Sequence, residues 1–239
     1  MTQFEALFGI ESSRIKKNCI LLPMLPKGIL NEFKIGNFKS SKLYGIGDNN
    51  DFTLIHTGMG AGFTGDAVLH LKESPCENVI LFGSCGLVKA RNGLSIGSLV
   101  SPAKCYANES FTELLLEKNI EPKVFHAHDK FLGDFLADGK NLGLKRVNCS
   151  TLASLKLEEQ MVDSFIEKGV DVVDMECSAF FSAAAFSGLN AIACFYVSDI
   201  IKDMPFYLSL DADSKSALFS AIKDAAGLVC EFAKKKSSV

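Results

Sequence analysis

The chain reads as an α/β protein built on a mostly parallel sheet, and three observations carry that reading. Apolar runs of strand length recur between Gly, Pro, Asn and Asp, and they are continuous rather than alternating, as in strands covered on both faces. Stretches with helical apolar spacing lie between them, and this alternation is that of helices packed on a parallel sheet. The 239 residues, 48% hydrophobic and 22% charged, supply enough apolar mass for a layered core, which excludes disorder as the dominant state.

In chain order, the first strand is NCILLP (18–23), opening on Asn and closing on Pro. FTLIHTGMG (52–60) passes from an apolar run into glycines, and helical spacing follows over 61–73. NVILFGSCG (78–86) repeats that strand-to-glycine design, and GSLVSP (97–102) is a shorter run between Gly and Pro. Residues 111–118 have helical spacing, but 103–150 as a whole are the least regular part, an insertion or an excursion of the sheet that holds His126 and His128. A helix over 158–168 precedes the strand VDVVDME (170–176), which runs into a helix over 175–188 rich in small residues. AIACFYVSD (191–199) is the last strand. The final helix, 211–235, carries the stripe Ala217, Leu218, Ala221, Ala225, Val229 and Phe232, with Lys234, Lys235 and Lys236 at the negative end of its dipole. No repeat, low-complexity tract or Pro/Gly/Ser-rich linker divides the chain, so 1–239 reads as a single domain.

Charge and cysteine usage narrow the function classes. The 25 basic and 28 acidic residues give a net charge of −3, which leaves no cationic excess to track a nucleic-acid backbone. Only Arg14, Arg91 and Arg146 are arginines, so few bidentate forks for phosphate or carboxylate are available. The eight cysteines are dispersed without a C-x-x-C pair or a neighbouring His at ligand spacing, which argues against a disulfide framework or a zinc site and for a reducing cytoplasm. A redox role for Cys85 in the GSCG stretch lacks an adjacent base. The N-terminus has no basic-then-apolar leader and no apolar run approaches about 18 residues, so no membrane partner is expected.

Ligands of open α/β sheets collect at the C-terminal strand ends. Gly58 and Gly60 follow one strand and Gly83 and Gly86 another, offering backbone amides to a ligand, though tight turns alone would also use glycine there. The third glycine of a dinucleotide fingerprint is missing and there is no Walker A sequence. Glu176 opens a helix, where the dipole favours an acid in any case. The polar string Asp174-Met175-Glu176 between apolar segments nevertheless calls for hydrogen-bond donors, which vicinal sugar hydroxyls provide. Asp199 ends an apolar strand, either as a simple terminator or as a general acid whose pKa is raised by partial burial, with Ser198 orienting it.

Gly-Met-Gly after a strand, then GSCG, then D-M-E at a helix start and V-S-D at a strand end resemble, in this order, the nucleoside phosphorylase and nucleosidase superfamily. That group includes hexameric purine nucleoside phosphorylases, uridine phosphorylases and methylthioadenosine/adenosylhomocysteine nucleosidases. The resemblance spans roughly residues 18–235. It implies a three-layer α/β/α sandwich, a small-molecule nucleoside as ligand and a homo-oligomer between dimer and hexamer; no cofactor or metal is expected. By position, Met175 and Glu176 hold the ribose, Ser84 and Gly83 line the sugar or nucleophile side with Gly58 nearby, and Ser198 and Asp199 face the base. Phe206, in the loop after Asp199, offers a stacking face or a subunit contact.

Two departures bear on the nucleophile. The family's phosphate-gripping P-G-D-P-x-R segment corresponds here to Pro23-Met24-Leu25-Pro26-Lys27-Gly28, and its second arginine to Leu81. Phosphate is thereby disfavoured as co-substrate, and Arg91 lies outside the motif. The nucleosidase glutamate that activates water falls near Gly28, where the nearest acid is Glu32. The expectation is hydrolysis of a purine or 5′-modified purine nucleoside, with phosphorolysis or binding without catalysis as alternatives.

Overall fold

The computed structural model describes residues 1–110 and 122–237. Ten strands form one mixed sheet: β1 (Asn18–Leu22), β2 (Lys39–Ser40), β3 (Gly45–Asp48), β4 (Thr53–His56), β5 (Asn78–Leu87), β6 (Leu99–Asn108), β7 (Val124–His126), β8 (Lys145–Leu152), β9 (Val172–Asp174) and β10 (Asn190–Ile200). The helices are α1 (Gln3–Phe8), α2 (Ile29–Glu32), α3 (Ala61–Leu71), α4 (Asp129–Asp138), α5 (Leu155–Glu167), α6 (Cys177–Ser187) and α7 (Ala212–Ser237). The helix expected over 111–118 lies outside the described residues. Among these, no helix is long and apolar enough to cross a membrane.

β1 lies between β4 and β5 in parallel register, and all five of its residues are buried, which is why NCILL reads as a continuous apolar run. β5 also pairs in parallel with β10 along most of its length, Asn78 opposite Asn190 and Leu87 opposite Ile200. Beyond that pair the sheet curls. β10 meets β6, β6 meets β8, β8 meets β9, and β9 returns antiparallel to β5, so that five strands close into a ring while β1, β4, β3 and β2 extend from it. Helices flank the sheet as in an α/β/α sandwich: α6 packs on α3 and lies along β10, β6, β7 and β8, while α7 covers β10 and β1.

Several elements differ from expectation. The described residues of 103–150 hold the second half of β6, β7, α4 and most of β8, and β6 and β8 complete the ring. β8 escapes an apolar-run search because its first half mixes exposed and buried positions, while Cys149–Leu152 are all buried. β5 continues through Gly83-Ser84-Cys85-Gly86 and β10 through Ser198-Asp199, so both motifs lie within strands rather than beyond them. On α7, Ala221, Ala225, Val229 and Phe232 are buried as the stripe requires, whereas Ala217 is exposed. α1 carries a capping box, Thr2 Oγ1 accepting from Glu5 N at 3.1 Å and Glu5 Oε2 from Thr2 N at 2.6 Å.

Candidate nucleoside site

A cavity of about 530 Å³ opens where the ring, α5, α7 and the N-terminal end of α6 meet. Its wall includes Gly83, Ser84, Met175, Glu176, Ser198, Asp199 and Phe206, residues far apart in sequence that the topology gathers. β5 and β10 run side by side there, bringing Ser84 opposite Tyr196 and Gly86 opposite Asp199.

Glu176 is positioned from two directions. Asp174, at the end of β9, takes the backbone N–H groups of Glu176 and Cys177 on Oδ2 at 2.9 and 2.6 Å and Thr151 Oγ1 on Oδ1 at 2.6 Å. It thus does the work of an N-cap for α6, although Glu176 holds that position. From the other side, Gly60 N donates to Glu176 Oε1 at 2.7 Å. Gly60 has φ +109°, a conformation that L side chains rarely adopt, so glycine at this position aims its N–H at the carboxylate. Burial pushes Glu176 up to about 7, and the bonds from Gly60 and Met175 N–H groups oppose that rise.

Asp199 is aimed by an irregularity in β10. The ladder with β5 shifts register between Val197 and Asp199, leaving Ser198 as the extra residue. Ser198 Oγ donates to Asp199 Oδ1 at 2.6 Å, and it also lies 3.3 Å from Cys85 O. A Cβ on Gly86 would come within 3.2 Å of Asp199 Oδ2, so the glycine clears space for the carboxyl. Burial raises the Asp199 pKa, partly offset by the Ser198 hydroxyl. Gly83 also lines the cavity, and a Cβ there would meet nothing within 4 Å, which keeps that wall low.

Other residues singled out in the sequence fall elsewhere. Glu32 ends α2, is exposed, and does not line the cavity. The wall nearest to it in sequence is Pro23, Met24 and Pro26, which offers no ionisable group. Gly58 makes a positive-φ turn at +79° and stands outside the wall, which its neighbour Met59 enters. Arg91 is engaged with Asp171 Oδ1 at 3.0 Å and Val170 O at 2.9 Å, away from the cavity. His128 caps α4, its Nδ1 accepting from Phe131 N at 3.3 Å. Cys85 is buried and its thiol is pushed up, which removes the basis for a redox role. Phe206 is 55% exposed beside the cavity, and Tyr207 Oη donates to Glu159 Oε1 at 2.8 Å, tying this loop to α5.

Two features escape the sequence reading. Glu158, in the first turn of α5, lines the cavity at 6% exposure. A sequence pattern shows only an acid at a helix start, where the dipole already accounts for it. Cys105, Cys149 and Cys177, distant in sequence, place their sulfurs within 4.8 Å of one another beneath α6. They are fully buried, hydrogen-bond among themselves and with Thr151, and do not line the cavity.

The model of the phosphorylase superfamily matches residues 29–234. A search of curated protein sequences finds no match. Among solved structures, a uridine phosphorylase from Vibrio fischeri is 19% identical, with 93% of each chain covered and a TM-score of 0.72. A 5′-methylthioadenosine/S-adenosylhomocysteine nucleosidase from Campylobacter jejuni is 14% identical, covering 92% of this chain and 99% of that one, with a TM-score of 0.71. A futalosine hydrolase mutant from Helicobacter pylori is 13% identical, covering 92% and 100%, with a TM-score of 0.66. At these identities the likeness is one of fold.

Proposed function

The chain belongs to the phosphorylase superfamily, and on that premise we propose that it cleaves the N-glycosidic bond of a purine nucleoside with water. The observation that carries the reading is the meeting of Glu176 and Asp199 on one cavity, each held by a dedicated donor, Gly60 N for the first and Ser198 Oγ for the second. In this reading the sugar lies against Met175, Glu176, Gly83 and Ser84, and the base reaches toward Ser198 and Asp199 with Phe206 beside it.

Breaking the bond leaves positive charge on the sugar and negative charge on the base. Burial raises the pKa of Asp199, and in this reading its protonated form donates to a ring nitrogen as the C1′–N bond breaks. Glu176 accepts from the ribose hydroxyls and stabilises the cationic sugar. Water adds its hydroxyl to C1′, and its remaining proton replaces the one that Asp199 gave up, so free base and ribose leave.

Water is preferred to phosphate on the composition of the wall. Among the described residues lining the cavity there is no Arg, Lys or His, so a dianion placed beside Glu158, Asp174, Glu176 and Asp199 would find no cationic side chain to pair with. A second reading, nucleoside binding without turnover, is favoured by the apolar Pro23, Met24 and Pro26 where a water-activating acid was expected. Chromatographic detection of free base from a purine nucleoside tests the choice: turnover supports hydrolysis, and thermal stabilisation by nucleoside with no base released supports the second reading. Replacement of Glu176 by Ala abolishes both signals in either case.

A further inference from the structure

We infer that Cys105, Cys149 and Cys177 form a closed three-sulfur site for a soft metal ion, Cu(I), set apart from the nucleoside cavity. The three sulfurs lie within 4.8 Å of one another, and among the described residues no other group of three Cys, His, Asp or Glu ligand atoms comes so close together. Each sulfur comes from a different element: Cys105 from β6, Cys149 from β8 and Cys177 from the first position of α6. Cys105 and Cys149 are register partners on adjacent parallel strands, and the start of α6 brings the third sulfur to the pair. Burial alone is an ordinary state for a thiol, as at Cys194, which packs in the core as a small apolar group. Packing of that kind gives no reason for three sulfurs from three elements to converge and hydrogen-bond to one another.

The donor set selects the ion. A metal–sulfur bond of about 2.3 Å sets three sulfurs around one ion about 4 Å apart, so closure asks only for small side-chain adjustments. Thiolates favour soft ions, Cu(I) and Zn2+ among them. Zinc in a closed structural site takes four ligands, with nitrogen or a further sulfur as the usual fourth. Neither a histidine nor a fourth cysteine joins this group. The carboxylate beside it, Asp174 Oδ1 at 3.5 Å from Cys149 Sγ, already accepts from Thr151 Oγ1 at 2.6 Å. Three sulfurs without a fourth donor suit the three-coordinate geometry of Cu(I). The positive end of the α6 dipole lies at Cys177 and favours thiolate there. The ion enters as Cu(I), displaces the thiol protons to solvent and keeps its oxidation state. Because the sulfurs are buried and do not line the cavity, its role is structural: it ties the first turn of α6, with Glu176 at the N-cap, to β6 and β8.

The test loads the full chain anaerobically with Cu(I), presented as its bicinchoninate complex with ascorbate as reductant, and runs Zn2+ in competition. Loading is done both onto the folded protein and during refolding, since a buried site fills most readily while α6 is open. One Cu(I) per chain is expected, held against the chelator, with X-ray absorption of the wild type showing three sulfur neighbours. The melting temperature is expected to rise by about 5–10 °C when free Cu(I) stands about 100-fold above its Kd. Cys105→Ser and Cys177→Ser are expected to weaken Cu(I) binding at least about 100-fold, whereas Cys230→Ser, which removes a half-exposed thiol outside the group, changes it by less than about threefold. No Cu(I) held in either loading mode, fewer than three sulfurs around the ion, binding that survives in both triad variants or is lost in Cys230→Ser, or a preference for Zn2+ each overturns the inference. If the triad variants do not fold, the stoichiometry and X-ray absorption of the wild type decide it. None of these readouts involves nucleoside turnover, so the proposed hydrolysis stands or falls separately.

Discussion

The proposed hydrolysis asks Asp199 for a proton at neutral pH, and its burial at the end of β10 raises its pKa in the direction that proposal requires. Since the protonated form is the active one, kcat is expected to fall as pH rises through that raised pKa, and a pH–rate profile reads this as an alkaline limb. Asp199→Asn keeps the shape and the Ser198 contact but has no proton to donate, so a loss of about 10²–10⁴-fold in kcat is expected, with the alkaline limb gone and the melting point unchanged or higher. Glu158 makes a separate prediction about stability. Burial first, then the charges of Asp199 and Glu159, raise it from 4.5 to about 7 in the folded state. A carboxyl raised on folding contributes stability in full below its unfolded pKa and loses it as pH rises toward the folded value. The wild type should therefore lose roughly 3 kcal/mol between pH 4.5 and 7.5 from this group, and Glu158→Gln should lack that component in urea unfolding at the two pH values.

At the scale of elements, the site depends on two backbone devices. Gly60, at φ +109°, directs its N–H to Glu176 Oε1. Gly60→Ala is expected to cost about 1–3 kcal/mol in denaturant unfolding and to raise KM for the nucleoside as Glu176 loosens. Gly86→Ala places a methyl 3.2 Å from Asp199 Oδ2, so the carboxyl must shift; kcat should drop while the fold persists, as circular dichroism and activity together would show. The elements differ in how far the sequence discloses them. β1 and the body of β5 are buried on both faces and appear as unbroken apolar runs, and the buried stripe of α7 appears as helical spacing. β8 does not, since only its second half is buried throughout. GSCG and VSD read as strand ends because glycine and polar residues interrupt the hydropathy, yet they are in-strand residues that turn toward a cavity. Asp199 and Glu176 were legible because an acid beside an apolar run is conspicuous. Glu158 was hidden because an acid in a helix's first turn is ordinary, and only the docking of α5 on the ring places it in the site.

The whole molecule is a sheet that closes on itself at one end, and closure explains why β5, β9, β10 and α5 all reach one cavity. It also places four buried or nearly buried acids, Glu158, Asp174, Glu176 and Asp199, around the site without a cation among the described lining residues. That balance was foreshadowed by the three arginines of the sequence, and the structure shows where each acid stands. On the proposed function, a neutral nucleoside present at 100-fold over its Kd should stabilise the fold by about 2.7 kcal/mol, measurable as a thermal shift. Inorganic phosphate at the same concentration should give no comparable shift. The decisive measurement is the product of purine nucleoside turnover in buffer with and without phosphate, resolved by chromatography or NMR. Free base with ribose, formed at the same rate in both buffers, is the predicted result; ribose 1-phosphate formed only when phosphate is present would contradict the hydrolytic account.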